Sequence, residues 1–129
     1  MVLSTSKCQK GGFNLREDGK ITSTILDRYI QEVAGVFGSH LKKVILYGSY
    51  ARGDFREDSD IDIMILVDLD DPAIKAAGRQ LSDVTFEINF DHDVMIMPIV
   101  QNEAFFDRWV GAYPFFNQIN NEGIELYAA

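Results

Sequence analysis

The segment from Asp60 to Asp68 reads Asp-Ile-Asp-Ile-Met-Ile-Leu-Val-Asp. It begins in strict alternation of acidic and apolar residues and becomes continuously apolar from Ile63 to Val67. Successive residues of a strand point to opposite faces. Alternation therefore suits a rim with one open face, and an unbroken apolar run suits a strand covered on both. A single strand that passes from an open edge into a core needs a layer on either side of its sheet, and helices are the usual cover.

The rest of the chain supplies those layers. From Thr22 to Phe37, Ile25, Leu26, Tyr29, Ile30, Val33 and Val36 recur at helical spacing, with Thr22 as N-cap and Gly38 as stop. Lys43 to Tyr47 is a short apolar run closed by Gly48, read as a buried strand. Tyr50 to Ser59 is polar and begins as a short helix before becoming a loop. Asp70-Asp71-Pro72 turns into a helix over residues 73–90, with Pro72 suited to the first turn. Asp93 to Val100 is a second alternating-to-apolar strand. Helices are expected over Glu103–Trp109 and Pro114–Glu122, the latter closed by Gly123, with Ile124–Tyr127 a short apolar tail. The expected fold class is α/β (α+β), a small sheet flanked by helices.

Composition narrows the class further. The chain has 129 residues, 47% hydrophobic and 25% charged, which suits one domain able to bury a sizeable core. Residues 1–20 read as a loosely ordered lead-in onto which Phe13 and Leu15 can dock, and residues 21–129 as the single domain. Twenty acidic against 12 basic residues give a net charge of −8, which repels a phosphate backbone and argues against tight nucleic-acid binding. A single cysteine, Cys8, forms no internal disulfide and has no partners for a zinc site. No signal-peptide stretch opens the chain, and the longest apolar runs, Ile63–Val67 and Val94–Val100, are too short to span a bilayer. The expectation is a soluble, cytoplasmic protein without a membrane role.

Two short motifs carry the chemistry. Gly48-Ser49 follows a strand and precedes a helical turn, where first-turn N–H groups favour an anion such as phosphate. Gly48 lets the backbone approach a ligand, and Ser49 can cap the helix or donate to a phosphate oxygen. Such turns are common without any ligand. Asp60 and Asp62 project from one face of their strand while Ile61 and Ile63 pack on the other. Two adjacent carboxylates repel unless they face water or share a cation, and their hard oxygens suit Mg²⁺ together with substrate phosphates. A solvated acidic edge is the plainer alternative for that pair alone. Taken together the motifs are sharper. The connection from Tyr50 to Ser59 is long enough to fold back and set both at one mouth of the sheet.

The run Gly48-Ser49-Tyr50-Ala51-Arg52-Gly53-Asp54, followed by Asp58-Ser59-Asp60-Ile61-Asp62-Ile63, resembles the signature of the DNA polymerase beta-like nucleotidyltransferase superfamily. It is most similar to the minimal nucleotidyltransferase (MNT) group. The resemblance implies a small mixed sheet flanked by helices and an enzyme, a nucleotidyltransferase that moves NMP from an NTP. ATP is the leading substrate, with another NTP open, and two Mg²⁺ ions the cofactor. It assigns Gly48, Ser49 and Arg52 to the nucleotide, and Asp60 and Asp62 to catalysis and metal binding. A third carboxylate from a later strand falls to Asp93, with Asp91 as fallback. Arg52 has a second reading, pairing with Asp54 or Asp58. The resemblance further implies an antitoxin-type role beside an all-helical HEPN-like partner, with a hydroxyl of that protein as AMP acceptor. A small-molecule acceptor, as in aminoglycoside-modifying relatives with a pocket at a homodimer interface, and a non-catalytic partner-binding module are the rivals.

Other residues take plainer roles. His40 and His92 stand apart from any ligand-spaced cluster and read as surface or loop residues. Met64, Met95 and Met97 read as strand packing. Phe105, Phe106, Trp109, Tyr113, Phe115 and Phe116 crowd a short stretch. Most should be core, and any left exposed would suit a protein partner better than a base-stacking surface, given the acidic charge.

Overall fold

The structure, a computed structural model, describes residues 23–56 and 58–129. The expectations for residues 1–20, Cys8 and the Thr22 cap lie outside the described residues. Helix α1 (Ser23–Phe37) leads through a 3-10 turn (Gly38–His40) into β1 (Leu41–Tyr47). A one-turn helix, α2 (Ser49–Arg52), and a loop connect to β2 (Ile61–Val67). The long α3 (Asp71–His92) returns the chain to β3 (Ile96–Asn102), followed by α4 (Glu103–Trp109), α5 (Pro114–Glu122) and β4 (Ile124–Ala128).

The four strands stand in the order β3-β2-β1-β4. β1 pairs antiparallel with β2 and β4, while β2 and β3 run parallel, so the sheet is mixed. The parallel pair requires a crossover, and α3 supplies it. Local chemistry sets its ends. The Asp70 side chain accepts from the N–H of Ala73, and Pro72 occupies the first turn, where its missing N–H costs nothing.

The strands sort their side chains by parity. Leu46, Ile61, Ile63, Ile65, Val67 and Ile96 turn to one face and pack with Leu26, Tyr29, Ile30 and Val33 of α1 and Leu81 and Ile88 of α3. Ile45, Met64 and Leu66 turn to the other face, against Phe106 of α4 and Phe116 and Ile119 of α5. Residues 63–67 of β2 are thus buried on both sides, as the continuous apolar run requires. Each such side chain contributes about 1.5–3 kcal/mol of burial free energy. Parity puts Asp62 on the α4–α5 face, beyond the end of the helical cover, at the rim where β1 ends and β2 begins.

Three expectations change. Asp93 does not open a strand. It ends α3 in the left-handed region (φ 54°, ψ 49°), its N–H donating to the carbonyl of Asn89, and β3 starts only at Ile96. A short polar residue tolerates that conformation, and the alternation of residues 93–97 hides it from a periodicity reading. Met95 and Met97 are exposed rather than packed, because Met95 precedes β3 and Met97 lies on an edge strand whose face the helices cover only in part. The apolar tail is β4, which closes the other edge of the sheet against β1.

One polar contact lies inside the helical layer. The Tyr29 hydroxyl of α1 and the Thr85 hydroxyl of α3 share a buried hydrogen bond of 2.8 Å. Tyr29→Phe leaves the Thr85 hydroxyl buried and unpaired, so a loss of about 1–3 kcal/mol is expected in urea unfolding. Adding Thr85→Val removes both partners and should recover most of that loss.

Candidate active site

β1 ends at Tyr47, and Gly48 follows with φ 79° and ψ −155°, a conformation essentially confined to glycine. It turns the chain sharply into α2. The N–H groups of Ala51 and Arg52 both donate to the Gly48 carbonyl at 3.1 Å, which closes the single turn. Gly53 in the left-handed region (φ 85°) ends it. The Ser49 N–H, first in the helix, has no partner within the helix. Stacking of Tyr50 on Phe55, with centroids 4.2 Å apart, ties the turn to the start of the following loop. Ser59 then closes that loop, its Oγ accepting from the Arg56 N–H at 2.7 Å.

This fold-back delivers Asp60 and Asp62 beside the turn. Tyr47 and Asp62 are partners across the β1–β2 ladder. The Asp62 carboxylate lies so close to the α-carbon of Gly48 that a β-carbon there would collide with it. The backbone angles call for glycine here, and its missing side chain leaves the Asp62 carboxylate its place. The shared hollow has a volume of about 420 Å³ and is lined by Gly48, Ser49, Arg52, Asp60 and Asp62, with Tyr47, Phe115 and Gln118 on its flank. Burial pushes the Asp62 carboxyl above the ordinary carboxylate range, the charge of Asp60 pushes it further, and the Arg52 guanidinium opposes both. Burial, then the Asp62 charge, pushes the Tyr47 phenol up to about 12.

Arg52 bridges two carboxylates at the mouth. Its Nε donates to Asp54 at 3.3 Å and its Nη1 lies 3.5 Å from Glu122 at the end of α5. Pairing with Asp54 or Asp58 is one of its two readings from the sequence, and Glu122 is a partner that residue spacing does not reveal. These pairs are half exposed and weak, so the guanidinium is held over the hollow without being locked there.

Asp93 and Asp91 stand elsewhere. Asp93 lines a neighbouring hollow of about 560 Å³ with Arg56, Asp58, Val94 and Met95, and Ser59 borders both hollows. Asp91 lines neither of them; it flanks the exposed Phe86 and Phe90 on α3. The residue in register with Asp62 on β3 is Met97, 46% exposed, which offers no hard oxygen. Among the described residues no group of three His, Cys, Asp or Glu side chains is gathered as a metal site. The donor set next to the phosphate turn is thus the pair Asp60 and Asp62. Two hard carboxylates, one of them held against a glycine and disfavoured in its charged form, are a chemically apt seat for Mg²⁺ shared with a substrate's oxygens.

Two outcomes follow. Gly48→Ala should cost about 1–3 kcal/mol in chemical unfolding, through the disallowed backbone and the displaced Asp62. Because the Asp62 pKa is raised on folding, its favourable share of stability is present below the usual aspartate pKa and lost as pH rises through the raised value. Asp62→Asn should therefore raise the melting temperature at neutral pH in chelator, and the gain should vanish in acid.

Comparisons with known proteins show what the chain is similar to. Residues 26–106 match the family model described as a nucleotidyltransferase domain. A protein of Methanocaldococcus jannaschii, provisionally named a protein adenylyltransferase, is 31% identical over 79% of this chain and 94% of its own. The crystal structure of a provisionally assigned nucleotidyltransferase from Sulfolobus solfataricus is 27% identical, covers 66% of this chain and 70% of its own, and superposes with a TM-score of 0.51. The MNT antitoxin complex with a tri-AMPylated HEPN toxin of Shewanella oneidensis shares the fold, at 17% identity, coverage of 84% and 74%, and a TM-score of 0.51. Among the described residues no helix is long and apolar enough to cross a membrane. The family match spans both motifs of the hollow, and the chain belongs to the nucleotidyltransferase domain family.

Proposed function

We propose that the chain transfers AMP from ATP to a hydroxyl of a partner protein, with Asp60 and Asp62 holding Mg²⁺ and Gly48, Ser49 and Arg52 holding the triphosphate. The observation that carries this reading is the packing of the Asp62 carboxylate onto Gly48, which makes the phosphate turn and the acid pair parts of one hollow. The protein acceptor is supported by relatives named as protein adenylyltransferases and by the AMPylated toxin in the antitoxin complex of the same fold.

In the reaction the acceptor oxygen bonds to the α-phosphorus, the bond from that phosphorus to the bridging oxygen of the β-phosphate breaks, and pyrophosphate leaves with its electron pair. The Ser49 N–H and hydroxyl hold oxygens of the leaving end. Arg52 exchanges its weak carboxylate partners for phosphate and stabilises charge that grows as the bond breaks. When bound, Mg²⁺ supplies Lewis-acid polarisation and offsets the repulsion between the carboxylates and the triphosphate. Asp93 borders the hollow next door and in this reading receives the acceptor's proton from that side, while Ser59 marks the passage between the two.

The test uses α-phosphate-labelled ATP, Mg²⁺ and lysate of the source cells. Wild-type protein should label a polypeptide other than itself. Asp60→Ala/Asp62→Ala should lower that labelling by ~100-fold or more while the far-ultraviolet dichroism stays unchanged. Undiminished labelling by the double mutant would remove the acids from the mechanism. Absence of any labelled polypeptide with wild type, where labelled small molecules appear instead, would move the acceptor to that class.

A further inference from the structure

We infer that Phe115 is the platform on which the nucleobase of the bound nucleotide stacks, an inference that rests on the nucleotide reading of the hollow. α5 presents two neighbouring phenylalanines with opposite fates. Phe116 is 6% exposed and packs in the core with Phe106, at a centroid separation of 4.9 Å, beside Ile119. Phe115 is 44% exposed and lines the hollow that holds Gly48, Ser49, Asp60 and Asp62. The core needs Phe116 and Ile119 from this helix and leaves Phe115 at the mouth.

The ring is also held in place. Phe115 and Tyr47 meet edge to face, with centroids 5.7 Å apart and planes at 81°. Tyr47 is in turn the cross-strand partner of Asp62. Platform, tyrosine and acid are therefore adjacent side chains across one rim, with the phosphate turn alongside. A nucleotide needs this division of chemistry, a polar seat for phosphate and a flat apolar surface for the base. A volume of about 420 Å³ is in the range of small-ligand sites. The net charge of −8 disfavours a nucleic-acid backbone and leaves stacking of one neutral base unaffected.

Calorimetry with ATP and with inorganic tripolyphosphate, both in Mg²⁺, separates the base from the phosphates. Phe115→Leu keeps the apolar volume and removes the aromatic face. It should weaken ATP by about 5- to 150-fold, the range for loss of one base stack, and leave tripolyphosphate unchanged. Phe115→Tyr should retain ATP affinity. Equal weakening of both ligands, or no weakening of ATP, overturns the platform while the phosphate seat stands. Failure of wild type to bind either ligand overturns the nucleotide reading itself, and the platform with it.

Discussion

The close approach of the Asp62 carboxylate to the α-carbon of Gly48 is the contact on which the candidate site depends. It joins the end of β1 to the start of β2 at a point where a β-carbon at position 48 would displace the Asp62 carboxylate. Backbone angle and side-chain clearance impose the same requirement on one residue. The consequence is electrostatic. A carboxylate drawn against the backbone, beside a second carboxylate, is disfavoured as an anion, and the fold carries that cost at its rim. Stability held elsewhere makes this tolerable, since β2 is buried on both faces over the next five residues.

The division of the sheet explains why the rim is open. α1 and α3 cover one face, while the shorter α4 and α5 cover only part of the other. Their cover stops at Phe106, Phe116 and Ile119, so that Asp62 and Met97, in register on adjacent strands, come at the uncovered end. The site is thus made by what the small helices leave bare. Arg52 spans from α2 to Glu122 of α5 and ties the two sides of that opening with contacts weak enough to exchange for phosphate.

Much of this was legible in the sequence because the strongest signals are local. The alternating-to-apolar run gave β2 and its two layers, the helical period of residues 22–37 gave α1, and Gly48-Ser49 with Asp60 and Asp62 gave the two halves of the hollow. What was not legible depended on tertiary context. Asp93 sits where the same alternation is produced by a helix end and an extended link, so its backbone had to be seen to be placed. The exposure of Met97 goes with β3 being an edge strand, and strand order is not written in residue spacing. β4 pairs with a strand far upstream, and five residues of tail carry too little pattern to announce it. The split between Phe115 and Phe116 is likewise set by which side of α5 meets the sheet.

In the proposed function, turn and acid pair act as one seat, in which a triphosphate is repelled until a divalent cation intervenes. Calorimetric titration of a non-hydrolysable ATP analogue, with Mg²⁺ and with chelator, tests it on wild type and Asp62→Asn. Wild type should bind measurably only with Mg²⁺, and Asp62→Asn should bind the metal-free analogue more tightly than wild type does while losing most of the benefit of the ion. Equal binding by wild type with and without Mg²⁺, unaltered in Asp62→Asn, would contradict it.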